Sequence, residues 1–131
     1  MSQVPTNLRY TKTHEWVRVM PDGLLEIGIT DHAQQALGDL VFVETPEPGR
    51  RVSAGEPYAV VESVKAASDV YCPVAGEIAA ANTELAASPE RINQSPYEAG
   101  WIARIRPQDA TAVAKLLRPE EYSKLIEAEG D

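Results

Sequence analysis

The sequence predicts a mainly β protein, with helix confined to one short internal segment and to the C-terminus. Three observations lead there. Short runs of β-branched and apolar residues recur along the first hundred positions, each bounded by proline or glycine turns. One of those runs alternates apolar and polar positions with a period of two. After residue 108 the apolar spacing becomes helical. At 131 residues and 44% hydrophobic, the chain is long enough to bury a core and too apolar to be disordered. A single domain over residues 1–131 is the expectation.

The elements follow in order. Residues 15–20 and 24–30 read as a hairpin around Pro21-Asp22-Gly23, where proline pre-sets φ and glycine takes the left-handed position. Leu25, Ile27 and Ile29 alternate with Leu24, Glu26 and Gly28, which predicts one buried face. Thr30 or Asp31 can cap a short helix running to Leu37, and Gly38 stops it. Residues 40–43 are apolar on both faces, as in a strand inside a barrel or sandwich. Pro48-Gly49 and Gly55-Glu56-Pro57 bracket the next strand pair, which leads into residues 58–62. The chain returns through 68–72, turns at Pro73-Val74-Ala75-Gly76 and forms another strand over 77–80. A proline-punctuated loop over 82–100 precedes a last strand at 101–105, and a loop of that length marks a functional or packed surface segment.

The helical region covers about 109–128. Asp109 can cap a helix through Leu117 whose apolar stripe is Val113, Leu116 and Leu117. Pro119 suits a first helical position, and Glu120 and Glu121 complement the helix dipole there. Tyr122, Leu125 and Ile126 form a second stripe, which predicts packing against the sheet.

Composition excludes several classes of function. Twenty acidic against twelve basic residues give a net charge of −8, which excludes nucleic acid and anionic membrane as partners, since both require basic patches. An acidic surface suits docking onto basic rims of partner enzymes. The sole cysteine, Cys72, cannot form an internal disulfide, which fits a reducing compartment, and its strand position suits a small core residue. Two histidines and one cysteine offer no pair at zinc spacing, so no metal is expected. No apolar run approaches a membrane span. The N-terminus Met1-Ser2-Gln3-Val4-Pro5 resembles neither a signal nor a transit peptide, so a cytoplasmic location is expected. An enzyme would have to use His14 with Glu15, or His32 with Asp31, as acid–base pairs. Neighbours along a strand point to opposite faces, which weakens the first pair, and no nucleophile or glycine-rich phosphate loop supports either.

Lys65 stands apart. It is the only lysine between Lys12 and Lys115, and it falls in Glu62-Ser63-Val64-Lys65-Ala66-Ala67-Ser68-Asp69, with β-formers on both sides. This predicts a hairpin whose tip, residues 62–69, holds one lysine away from the body. An isolated tip lysine is ordinarily a solubilising charge. A lysine with a pKa of about 10.4 needs burial or a neighbouring cation to become a nucleophile at neutral pH. Glu62 and Asp69 do the reverse, favouring the charged form. The same tip is well suited to recognition by a modifying enzyme, with Glu62 as a candidate contact.

The stretch from Glu62 to Tyr71 closely resembles the lipoyl-lysine hairpin of the glycine cleavage system H-protein family. The resemblance continues through Tyr10-Thr11-Lys12-Thr13-His14-Glu15-Trp16, Gly28-Ile29-Thr30-Asp31-His32-Ala33-Gln34, Leu37-Gly38-Asp39-Leu40-Val41-Phe42-Val43-Glu44, Pro73-Val74-Ala75-Gly76-Glu77, and Ile92-Asn93 by way of Pro96-Tyr97 to Gly100-Trp101. The resemblance implies a barrel-sandwich hybrid of the lipoyl/biotinyl type, with two half-sheets meeting at the lysine hairpin. It also implies lipoate as the cofactor, attached covalently to Lys65. Implied partners are glycine decarboxylase (P protein), aminomethyltransferase (T protein), dihydrolipoamide dehydrogenase (L protein) and the lipoate-attaching enzymes. In the family the loaded arm folds into a surface cleft whose matching positions are Thr13, Glu15, His32 and Asp69. Such a chain is a carrier and not a catalyst. A biotin carrier would place methionines beside the lysine, where Val64 and Ala66 stand, and an acyltransferase lipoyl module would continue into a linker and catalytic domain. An H-type relay that donates lipoyl groups to other complexes would share nearly every motif.

Overall fold

The computed structural model describes residues 2–129. Strands β1 (Arg9–Tyr10), β2 (Glu15–Val19) and β3 (Leu25–Ile29) open the chain, followed by helix α1 (Asp31–Leu37) and strand β4 (Leu40–Glu44). Next come β5 (Arg51–Val52), β6 (Pro57–Ser63), β7 (Ala67–Tyr71) and β8 (Gly76–Ala81). Two short helices, α2 (Glu84–Ala87) and α3 (Glu90–Gln94), precede β9 (Ala103–Pro107). A 3-10 turn at Ala110–Lys115 and helix α4 (Pro119–Ala128) complete the described residues. The strands form two antiparallel sheets, one ordered β1-β2-β3-β9-β8-β5 and the other β4-β6-β7. No helix among the described residues is long and apolar enough to cross a membrane.

The main core lies between the sheets. Val17, Ile27 and Ile105 of the larger sheet pack with Val43, Val61 and Val70 of the smaller one, each at most 3% exposed. Removing side chains of this size from water stabilises by about 1.5–3 kcal/mol each. Thr30 is the residue that caps α1: its hydroxyl accepts from the Ala33 amide, while Asp31 occupies the first turn.

Four expectations are corrected. Strand β3 is buried at all five positions, not on one face. On its outer side Gly28 meets Trp16 of a second cluster that also contains Tyr10, Tyr97, Tyr122 and Ile126, and Glu26 is paired with Arg18 and Arg104. Gly28 makes this possible, since a Cβ there would stand 2.8 Å from the Trp16 indole nitrogen. Strand β4 is not buried on both faces: Val41 is 55% and Phe42 47% exposed. It is an edge strand with a register shift between Leu40 and Phe42, and a bulge of that kind turns consecutive side chains outward. The loop over 82–100 contains α2 and α3, short apolar-anchored turns that bury Leu85 and Ile92. The segment capped by Asp109 is a single 3-10 stretch and not an α-helix reaching Leu117. Leu117 instead exchanges two backbone hydrogen bonds with Tyr10, at 2.8 and 2.9 Å, which pulls the chain straight. The predicted packing of the C-terminal helix holds, because Tyr122 stacks on Tyr10 with ring centroids 4.6 Å apart.

Candidate functional site: the lysine turn and an acidic cleft

Strands β6 and β7 pair antiparallel, with Val60 opposite Asp69 and Glu62 opposite Ala67. The pairing ends in a tight turn over residues 63–66. The Ser63 amide donates to the Ala66 carbonyl at 2.7 Å, closing the turn. The Ser63 hydroxyl oxygen lies 3.3 Å from the Lys65 amide and 3.2 Å from the Ala66 amide and accepts from both. One buried serine thus satisfies the amides that the turn strips from the ladder. Val64, 82% exposed, and Lys65 form the tip. The lysine stem runs beside Gly38, with its Cε 3.8 Å from where a Cβ on that glycine would lie.

Side chains two apart on a strand share a face. Ala67, Asp69 and Tyr71 therefore line the outer face of β7, while Val70 points into the core at 1% exposure. That face leads from the turn to a cleft of about 510 Å³, lined among others by Thr13, Glu15, Tyr71, Cys72, Lys115 and Leu117. Glu15 is 2% exposed, and three donors converge on its carboxylate. Thr11 donates through its hydroxyl at 2.5 Å, the Thr13 hydroxyl donates to the same oxygen, and the Tyr71 amide reaches the other oxygen at 3.3 Å. Burial holds the Glu15 carboxyl above the usual carboxylate range, opposed by the bonds from Thr11, Thr13 and Tyr71. No cationic side chain of the described residues pairs with it within salt-bridge distance. A desolvated carboxylate of this kind is a receptor for a small cation. Cys72 behaves as a core residue: burial raises its thiol to about 12, and its sulfur donates to the Val74 carbonyl at 3.1 Å.

The structure brings Thr13 and Glu15 together and sets Asp69 on the path between the turn and the cleft. His32 is not among the cleft-lining residues and stands on α1 against His14, with ring centroids 4.6 Å apart. Glu62 is half-buried beside the turn, opposite Ala67. Thr11, Tyr71 and Lys115 escaped the sequence reading. Thr11 and Thr13 converge on Glu15 because the chain turns between β1 and β2, where the His14 amide donates to the Thr11 carbonyl, and no periodicity announces that turn.

Residues 8–129 match the sequence model of the family described as Glycine cleavage H-protein. The chain belongs to this family. It is 61% identical over 126 residues to the glycine cleavage system H protein of Alkalilimnicola ehrlichii, covering 96% of this chain and 97% of that one. The H protein of Halorhodospira halophila is 56% identical over 130 residues, covering 99% of this chain and all of its own. Among solved structures, the crystal structure of a glycine cleavage system H protein from Mycobacterium marinum superposes with a TM-score of 0.84 at 41% identity, covering 98% of this chain and 100% of that chain. The mainly β barrel-sandwich fold of the lipoyl type expected from the sequence is therefore the fold observed, with the lysine hairpin lying wholly within the smaller sheet.

Proposed function

We propose that the chain is the lipoyl-bearing carrier of the glycine cleavage system and is not itself a catalyst. In this reading it carries the aminomethyl group of glycine from the decarboxylase to the aminomethyltransferase, and electrons to dihydrolipoamide dehydrogenase. The observation that carries the reading is the alignment of Lys65, the outer face of β7 and the buried Glu15 carboxylate along one surface. Lys65 suits the attachment of lipoate as an amide, because its ammonium is exposed on a turn that a lipoate-attaching enzyme can enclose. When bound, lipoate supplies a dithiolane able to accept a one-carbon unit and two electrons.

What this chain's own residues contribute is shelter. Tethering keeps the carried group at an effective concentration of about millimolar around the cleft. Glu15 offers a negative charge with little competing water, and Thr11 and Thr13 hold that carboxylate in place. Asp69 adds a second carboxylate on the approach. Excluding water there would protect the carried aminomethyl group from hydrolysis in transit between enzymes. A cytoplasmic location belongs to the same reading.

Glycine–bicarbonate exchange with purified glycine decarboxylase tests the proposal. The lipoylated chain should support saturable exchange that weakens at high salt, and Lys65→Arg should abolish it. Absence of exchange, together with efficient lipoyl transfer to a 2-oxo acid dehydrogenase subunit, would transfer the case to a lipoyl relay.

A further inference from the structure

We infer that His14, His32 and Glu129 form a binding site for a divalent transition-metal ion of the zinc type. The three come from separate parts of the fold: the turn before β2, the first turn of α1 and the C-terminal cap of α4. His14 Nε2 lies 3.2 Å from Glu129 Oε1, and His32 Nε2 lies 3.6 Å from the same oxygen. A donor atom from each of the three lies within 4.8 Å of the other two. Ligands held about 2.0–2.1 Å from a tetrahedral ion stand roughly 3.3 Å apart. The two distances to Glu129 thus nearly match the edges of such a site, and the three donor atoms all fall within 4.8 Å of one another. Two imidazoles with one carboxylate suit zinc, cobalt or nickel, whereas calcium and magnesium prefer all-oxygen cages.

Independent support comes from the backbone and from the partner of His14. His14 has φ 73°, a left-handed conformation unfavourable for a side-chain-bearing residue. It is held there because its amide donates to the Thr11 carbonyl and its carbonyl accepts from the Thr30 amide. The ring is then fixed by a hydrogen bond between Nδ1 and the Tyr122 hydroxyl at 2.8 Å. Tyr122 bonds in turn to the fully buried Thr30 hydroxyl at 2.7 Å. With the proton on Nδ1, the Nε2 lone pair faces His32 and Glu129. A ligating histidine is ordinarily oriented in this way, through its other ring nitrogen. The ion would clasp the end of α4 to α1 and to the His14 turn.

The tag-free, full-length chain without lipoate, so that no dithiol competes, is titrated with cobalt(II) and then zinc(II). The expected result is one ion per chain, a visible cobalt spectrum of low coordination number, and displacement of cobalt by zinc. Zinc should also raise the thermal midpoint. His32→Ala and Glu129→Gln should each weaken binding by at least about 10-fold, and Tyr122→Phe by about 10-fold through the freed His14 ring. Circular dichroism verifies that each variant is folded, and His14→Asn, which tolerates the left-handed backbone, replaces His14→Ala. Absence of binding by the folded chain, or equal affinity in His32→Ala and Glu129→Gln, overturns the inference. Neither result bears on the carrier reading, because no lipoyl chemistry enters the test.

Discussion

The Tyr71 amide donates to the Glu15 carboxylate at 3.3 Å, across 56 positions of sequence. This contact joins the strand that leaves the lysine turn to the floor of the cleft. The lysine turn and the buried carboxylate therefore belong to one hydrogen-bonded unit.

Lys65 should be the sole lysine modified when the chain is produced with lipoate. Lys12 lies in the loop of the short β1–β2 hairpin, Lys115 in the 3-10 segment and Lys124 on α4, and none stands on the Ser63-closed turn between β6 and β7. Peptide mass spectrometry reads the outcome, and a lipoyl mass on Lys115 or persistence in Lys65→Arg would contradict it. The thermal midpoint of Lys65→Arg should match that of the parent chain, since the tip is exposed.

Glu15 gives stability a particular pH dependence. Its folded carboxyl titrates above the ordinary value of 4.5, mainly because it is buried. Over the window above that value the folded state binds more protons than the unfolded state, so this group's contribution is present at low pH and is lost as pH rises through the folded pKa. Glu15→Gln removes that component. Its amide can donate to the Thr11 and Thr13 hydroxyls while its oxygen still accepts from Tyr71. The variant should be at least as stable as the parent at neutral pH and lose its advantage on acidification. Urea midpoints of both proteins between about pH 4 and 7 measure this. A parallel pH profile for the two would refute it. In the carrier assay the same variant should accept lipoate normally but release ammonia faster once loaded.

Gly28→Ala should destabilise the fold by about 1–3 kcal/mol. The new methyl group would collide with the Trp16 indole, whose N–H donates to the Pro96 carbonyl at 2.9 Å and so cannot swing away freely. Chemical denaturation supplies the number, and a partial rescue in the Trp16→Phe background would confirm the collision as its cause.

Asn93 ties three segments together. Its side-chain oxygen accepts from the Leu40 amide, and its amide group donates to Gly38 and Gln34, all at 2.9 Å. Asn93→Ala leaves the Leu40 amide and the Gly38 carbonyl without those bonds. A loss of about 1–3 kcal/mol is expected. Hydrogen exchange should localise the loosening to Gly38 and the start of β4, beside the lysine stem. A uniform loss over the whole sheet would contradict that localisation.

Local signals in the sequence carried much of the fold. Pro21-Asp22-Gly23 announced its turn, and Gly23 has φ 88° as that turn requires. The strands flanking Lys65 were readable from their β-branched residues and end in the expected turn. Phe42 misled for a physical reason: its apolarity says that it can be buried, but exposure is decided by the bulge and edge position of β4. The α2 and α3 turns escaped because such short segments have almost no periodicity to detect.

By itself, the sequence determined the mainly β class, the exposed lysine between two strands and the acidic surface, because each depends on neighbours in the chain or on composition. Tertiary structure alone decided which charges meet. The Glu15 carboxylate is buried and meets the Tyr71 amide, and the His32 ring on α1 meets that of His14, across spans that no local signal encodes. The grouping of His14 and His32 with Glu129 could not be read from spacing, since 115 positions separate the first from the last. Contacts of that range exist only once the sheets have packed and α4 has stacked its tyrosine on β1.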